Sequence, residues 1–115
     1  MISVQQVLYS QIDETASEVQ TLVQQSYDIA DAIFSSSQPQ NVFERALYGV
    51  KAFYEVVKQK ILTSEYLWDS CIQKGFVSGG EDLGQRLQQS KQAIDAAYKN
   101  IYVANKHFTG ELRGI

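Results

Sequence analysis

This 115-residue chain has a single cysteine, Cys71, and a single histidine, His107. A lone cysteine excludes an internal disulfide and any multi-cysteine metal knuckle. One proline and seven glycines fit a protein of long, uninterrupted elements and exclude a turn-dense architecture. No apolar run approaches the ~20 residues that a membrane-spanning helix needs. Basic charge is also lacking. A net charge of -3 and a pI near 5.0 argue against general affinity for nucleic acid or anionic lipid. The opening Met1-Ile2-Ser3-Val4-Gln5-Gln6 has neither a basic segment nor an apolar stretch, so no cleaved secretory signal is expected. That predicts a soluble protein that is cytoplasmic, or exported without a cleaved signal peptide. With 44% hydrophobic and 20% charged residues the composition is globular, and the length suits one domain.

What is present is periodic. Three segments repeat core-type residues at alternating steps of four and three. The first row runs Leu8, Ile12, Thr15, Val19, Leu22, Ser26, Ile29, Ile33. The second runs Phe43, Leu47, Val50, Tyr54, Val57, Ile61, Ser64, Trp68, Cys71. The third runs Leu83, Leu87, Ser90, Ile94, Ala97, Ile101, Ala104, Phe108. A 4-3 step averages 3.5 residues and keeps each row on one helix face, whereas strands need alternation by two. The fold is therefore predicted to be all-α, a single domain forming an elongated antiparallel three-helix bundle with heptad-like seams. Its helices lie near 4–34, 42–74 and 81–109, with Leu8, Leu47, Ile61, Leu87 and Ile101 inside.

The boundaries carry their own signals. Ser3 with Gln6 reads as a capping box, and Asn41 with Glu44, after Pro39, reads as the same device for the second helix. Lys74 and Gly75 read as a helix stop, followed by Phe76-Val77-Ser78-Gly79-Gly80. Glu81 and Asp82 begin the third helix, which frays near Thr109 and Gly110. Ala46, Phe53 and Leu67 give the second helix an extra apolar flank, which predicts that it sits centrally and touches both neighbours.

Charge is sorted by helix. The first carries Asp13, Glu14, Glu18, Asp28 and Asp31 and no cation. The third carries Arg86, Lys91, Lys99 and Lys106 against Glu81, Asp82 and Asp95. A solvated face with mild attraction between neighbouring helices accounts for this, and an acidic docking face on the first helix is the competing reading.

Catalytic arrangements are hard to build here. His107 flanks the last row, and Ala104 occupies the position where a Glu-x-x-His metal pair needs its carboxylate. Cys71 closes the second row behind Trp68 and reads as a small buried hydrophobe. Glu14 with Glu18 and Asp28 with Asp31 lie off the apolar rows. Gln85 follows Gly84 where a phosphate-binding loop needs lysine. No cofactor, metal or small-molecule substrate is expected.

The aromatics are the feature a simple core does not demand. Tyr54 and Trp68 fall in the second row, while Tyr9, Tyr27, Tyr48, Tyr66, Tyr98 and Tyr102 fall beside the rows. A tyrosine beside a seam covers the core edge with its ring and keeps its hydroxyl in water, and tyrosine is also enriched at protein interfaces. Core edge and binding surface both remain open. In the second reading Tyr48, Phe53, Tyr54, Tyr98 and Tyr102 bind a protein. The thin stretch of the third row at Ala97 and Ala104 lets helices approach closely or leaves a groove for another helix.

The stretch Leu47-Tyr48-Gly49-Val50-Lys51-Ala52-Phe53-Tyr54 resembles the signature of the LXG family, the helical N-terminal targeting domains of toxins exported by type VII secretion. Leu47, Gly49, Ala52, Phe53 and Tyr54 carry the resemblance. It is similar by extension to the small WXG-type secreted proteins, helical hairpins without signal peptides that act as dimers or as partners of a larger toxin. The chain departs from their pattern in having Asp69-Ser70 after Trp68 instead of a glycine turn. The Tyr-x-x-x-acid spacing of their export motif is found at Tyr27–Asp31, but inside the first helix. The resemblance implies a non-enzymatic helical module whose partner is another helical protein or a second copy. The competing class is a structural or regulatory bundle subunit, such as a phage, chaperone or immunity component.

Overall fold

The structure is a computed structural model that describes residues 3–76 and 82–108, apart from the side chains of Val4, Gln5, Gln40 and Phe108. Three helices dominate it: α1 (Val4–Ser35), α2 (Glu44–Gln73), entered through a short 3-10 turn at Gln40–Phe43, and α3 (Asp82–Phe108). There is no strand among the described residues. The molecule is an elongated all-α bundle measuring 55 × 28 × 17 Å, as 30-residue helices at ~1.5 Å per residue require.

Every member of the first row is buried. So are all members of the second row except Phe43 and Tyr54, which are half-buried, and all described members of the third. The five expected core residues Leu8, Leu47, Ile61, Leu87 and Ile101 are among them. Two of the polar row members donate within their own helix. The Thr15 hydroxyl donates to the Gln11 carbonyl at 2.8 Å, and the Ser26 hydroxyl donates to the Val23 carbonyl at 2.7 Å.

Successive helices run antiparallel, so α1 and α3 run parallel. Three contacts fix their register: Arg86 pairs with Asp13, Asn100 Nδ2 donates to Ser26 Oγ at 3.1 Å, and His107 stacks on Phe34 with ring centroids 4.3 Å apart. This parallel pair makes the most extensive helix contact of the bundle. α2 touches both neighbours as expected, but its expected central position is corrected. Its extra flank is not a second buried stripe, because Ala46 is exposed while Phe53 and Leu67 are only half-buried. The physical reason lies in side-chain size. Ala97 and Ala104, one turn to either side of Asn100, are fully buried, as is Ser26 opposite. Small residues on both helices bring α1 and α3 close together, so the thin third row means close approach.

The helix ends answer the boundary signals unevenly. The Ser3 and Gln6 capping box forms in both directions, at 3.1 and 3.0 Å. Gly75 closes α2 at φ +76°, with Gly75 N–H donating to Ile72 O and Phe76 N–H donating to Cys71 O. That backbone conformation favours glycine. The expected Asn41 cap does not form. Pro39, at φ -58°, instead starts a 3-10 turn in which Val42 N–H donates to the Pro39 carbonyl. The turn runs directly into α2, whose first residue becomes Glu44, with no side-chain cap. Of the remaining boundary expectations, Val77, Ser78, Gly79, Gly80, Glu81, Thr109 and Gly110 lie outside the described residues.

The charge sorting becomes ion pairing. Lys60 of α2 reaches Glu18 at 2.7 Å and Glu14 at 3.8 Å on α1. Arg86 of α3 joins Asp13 across the helices and Asp82 within its own. The hydrogen bond from Lys60 to Glu18, aided by the nearby carboxylates, holds the Lys60 ammonium pKa above its ordinary value; Asp13 does the same for the Arg86 guanidinium. No described helix is long and apolar enough to cross a membrane.

Candidate functional site

Tyr54 occupies a core position in the α2 row, yet its ring is too long to end inside the seam and emerges between α2 and α3. There it meets Tyr98 at a centroid distance of 5.8 Å and a tilt of 43°. Tyr98 in turn stacks on Tyr102, four residues on along α3, at 6.3 Å and 28°. Three tyrosines from two helices thus form one continuous aromatic ridge. Burial disfavours the charged phenolate and pushes the Tyr54 hydroxyl pKa up, and the carboxylate of Glu55 adds to the shift. Its partners are far more open, Tyr98 being 51% exposed and Tyr102 52%.

Lysines lie over the rings. The Lys58 ammonium is 6.0 Å from the Tyr54 centroid, that of Lys106 is 5.3 Å from Tyr102, and that of Lys51 is 5.4 Å from Tyr48. Helical spacing of three or four residues places each cation over its ring. Lys51 also donates to Asn105 Oδ1 at 3.4 Å, which ties the edge of α2 to α3. Tyr48, 64% exposed, extends the ridge outward on the same flank.

Beyond Tyr54 the face continues as an open groove of about 390 Å³ between α2 and α3. Its lining includes the buried Ile61 and Ile94 and the exposed Leu62, with Lys58 and Lys91 at its sides. Aromatic, aliphatic and cationic groups therefore share one strip that no described part of the chain covers.

Four of the five expected protein-binding residues, Tyr48, Tyr54, Tyr98 and Tyr102, belong to this strip. Phe53 does not. It lies seven residues before Lys60, which pairs with α1, and so it faces the α1 side of α2. There it belongs to a second heptad row of Val42, Ala46, Gly49, Phe53 and Val56, of which only Phe53 is half-buried and the rest are exposed. A Cβ added at Gly49 would meet nothing within 4 Å. No contact among the described residues requires glycine there.

The lysines over the rings and Leu62 are functional candidates that the aromatic pattern alone passes over. The pairs Tyr48 with Lys51, Tyr54 with Lys58 and Tyr102 with Lys106 recur at helical spacing, a signal present in the sequence. The cysteine and the histidine lie far apart. Cys71 is buried near the C-terminus of α2, while His107 lies against α1 at the opposite end of the bundle. No three His, Cys, Asp or Glu side chains among the described residues come together to hold a metal ion.

The chain matches no protein-family model, no curated protein and no solved structure.

Proposed function

We propose that this protein is a non-enzymatic helical module that binds another helical protein, or a second copy of itself, through the tyrosine and lysine face of α2 and α3. The observation that carries the reading is the aromatic ridge Tyr54–Tyr98–Tyr102, continuous over two helices and open to solvent along its outer edge. Amphipathic rings gain most when a partner excludes water from them, and interface hot spots are enriched in tyrosine for that reason. The groove at Ile61, Leu62 and Ile94 supplies the apolar floor on which an amphipathic helix packs. Under the resemblance at Leu47–Tyr54, the partner would be another helical protein of a type VII secretion system.

The test is association with the fold held constant. Tyr48→Ala and Tyr102→Ala remove exposed rings and should leave the helical circular dichroism and melting temperature nearly unchanged. Both should weaken complex formation in pull-downs from the native host, or dimer formation in light scattering. A protein that stays monomeric at high micromolar concentration and returns no helical partner would overturn the reading.

A further inference from the structure

We infer that the outer face of α2 pairs antiparallel with the same face of a second copy of this chain. That surface is separate from the tyrosine and lysine face, so the inference goes beyond the reading above. On the side of α2 opposite its buried row, Gly49, Ala52, Val56, Gln59, Thr63 and Tyr66 recur at steps of three and four, and all are exposed. None of them is charged, although a solvated helix face is where charge ordinarily collects. Ala46, Phe53 and Leu67 run beside the row as an apolar flank. A neutral 4-3 row bordered by apolar side chains has the pattern of a helix seam, and here no described part of the chain supplies the second helix.

The row is its own complement. Turning a second α2 end for end puts Gly49 opposite Tyr66 of the second copy, Ala52 opposite its Thr63, and Val56 opposite its Gln59. The same contacts recur with the copies exchanged, as a two-fold axis requires. Size fits at the outer layers. Tyr66 is 74% exposed, and its ring finds the smallest residue of the row across from it. Glycine weakens a helix interior, and a Cβ at Gly49 would meet nothing within 4 Å. Nothing among the described residues accounts for that glycine, whereas an incoming ring does. Charge fits at the ends. Arg45 precedes the row and Asp69 follows it; both are exposed, and neither enters an ion pair among the described residues. Glu44 and Lys74 lie just beyond them. Antiparallel pairing brings Arg45 to Asp69 of the second copy at both ends of the seam, and Glu44 towards its Lys74. Parallel pairing would set each of these charges against its own kind. On the α3 side of the row Glu55 and Lys58 offset one another, and on the α1 side Lys60 is paired with Glu18, so the flanks do not oppose a second copy. The paired stretch, 45–70, spans roughly 39 Å.

Sedimentation equilibrium of the full chain should show a dimer at high micromolar concentration. Gly49→Leu favours the helix but fills the space opposite Tyr66, and Val56→Glu brings two carboxylates together near the two-fold axis. Each should weaken association roughly tenfold or more, with the helical circular dichroism unchanged because both positions are exposed. Arg45→Glu or Asp69→Arg alone should weaken the dimer several-fold, since two symmetry-related pairs become repulsive, and both changes in one chain should restore it. Tyr102→Ala lies outside the seam and should leave the dimer intact. A chain that stays monomeric overturns the inference and leaves the tyrosine ridge to its own pull-down test. A dimer that Gly49→Leu and Val56→Glu both spare, and that Tyr102→Ala dissolves, overturns it in favour of a second copy seated on the ridge. A double charge exchange that fails to restore association overturns the antiparallel pairing.

Discussion

Tyr54 joins core to surface, and its position makes a prediction about alkali. Its phenol is held neutral by burial, with a pKa above the ordinary value in the folded chain. Below the unfolded pKa of ~10 the ring is neutral in both states, so its contribution to stability is fully present. As pH rises through the folded pKa, the unfolded chain ionises first and that contribution is lost. Melting temperature should therefore fall above about pH 10, and Tyr54→Phe should retain more stability there than the parent. An identical alkaline decline in the two proteins would show that the Tyr54 hydroxyl is not responsible. Ser26 makes a second prediction. It is fully buried, donates to the Val23 carbonyl and accepts from Asn100 of α3. Ser26→Leu would complete an apolar row on paper. At this close helix contact it should instead cost about 1–3 kcal/mol by overpacking, measured by denaturant unfolding. The row pattern alone gives serine no such role, because Asn100 lies more than seventy residues away in sequence.

Glycine separates two situations within the helices. A Cβ at Gly84 of α3 would lie 3.0 Å from Trp68 Cζ2, against a ring fixed in the core. Gly84→Val should therefore destabilise by about 1–3 kcal/mol. At Gly49 of α2 the added Cβ meets open space, so Gly49→Ala removes only the backbone entropy cost of glycine. It should stabilise the fold by about 0.5–1 kcal/mol, which thermal melts of the two variants would register as shifts of opposite sign. A stable Gly84→Val variant would mean that Trp68 can move. The starts of the helices teach a related lesson. The Ser3 cap is legible because a capping box is local chemistry, and it forms as expected. Asn41 carries an equally good local signal, but Pro39 already directs the backbone into a 3-10 turn that meets the first amide needs of α2.

At the scale of the whole molecule the shape is testable. The radius of gyration is 17.5 Å, whereas a compact globular chain of this length has about 13 Å. Small-angle scattering of the monomer should return the larger figure, and a value near 13 Å would exclude the extended bundle. Sequence by itself determined the number of helices, their lengths within a few residues, and which residues are buried. It could do so because a 4-3 repeat is a property of one helix face and is written locally in each segment. Only the tertiary structure decided which helices lie closest, because that depends on how Ser26, Ala97 and Ala104 combine across the parallel pair α1 and α3. It also divided the expected binding residues, sending Phe53 to the α1 side of α2 and gathering Tyr48, Tyr54, Tyr98 and Tyr102 on the other. Periodicity fixes the angle of a side chain about its own axis. Which neighbour stands at that angle is set by packing, and packing joins residues far apart in the chain.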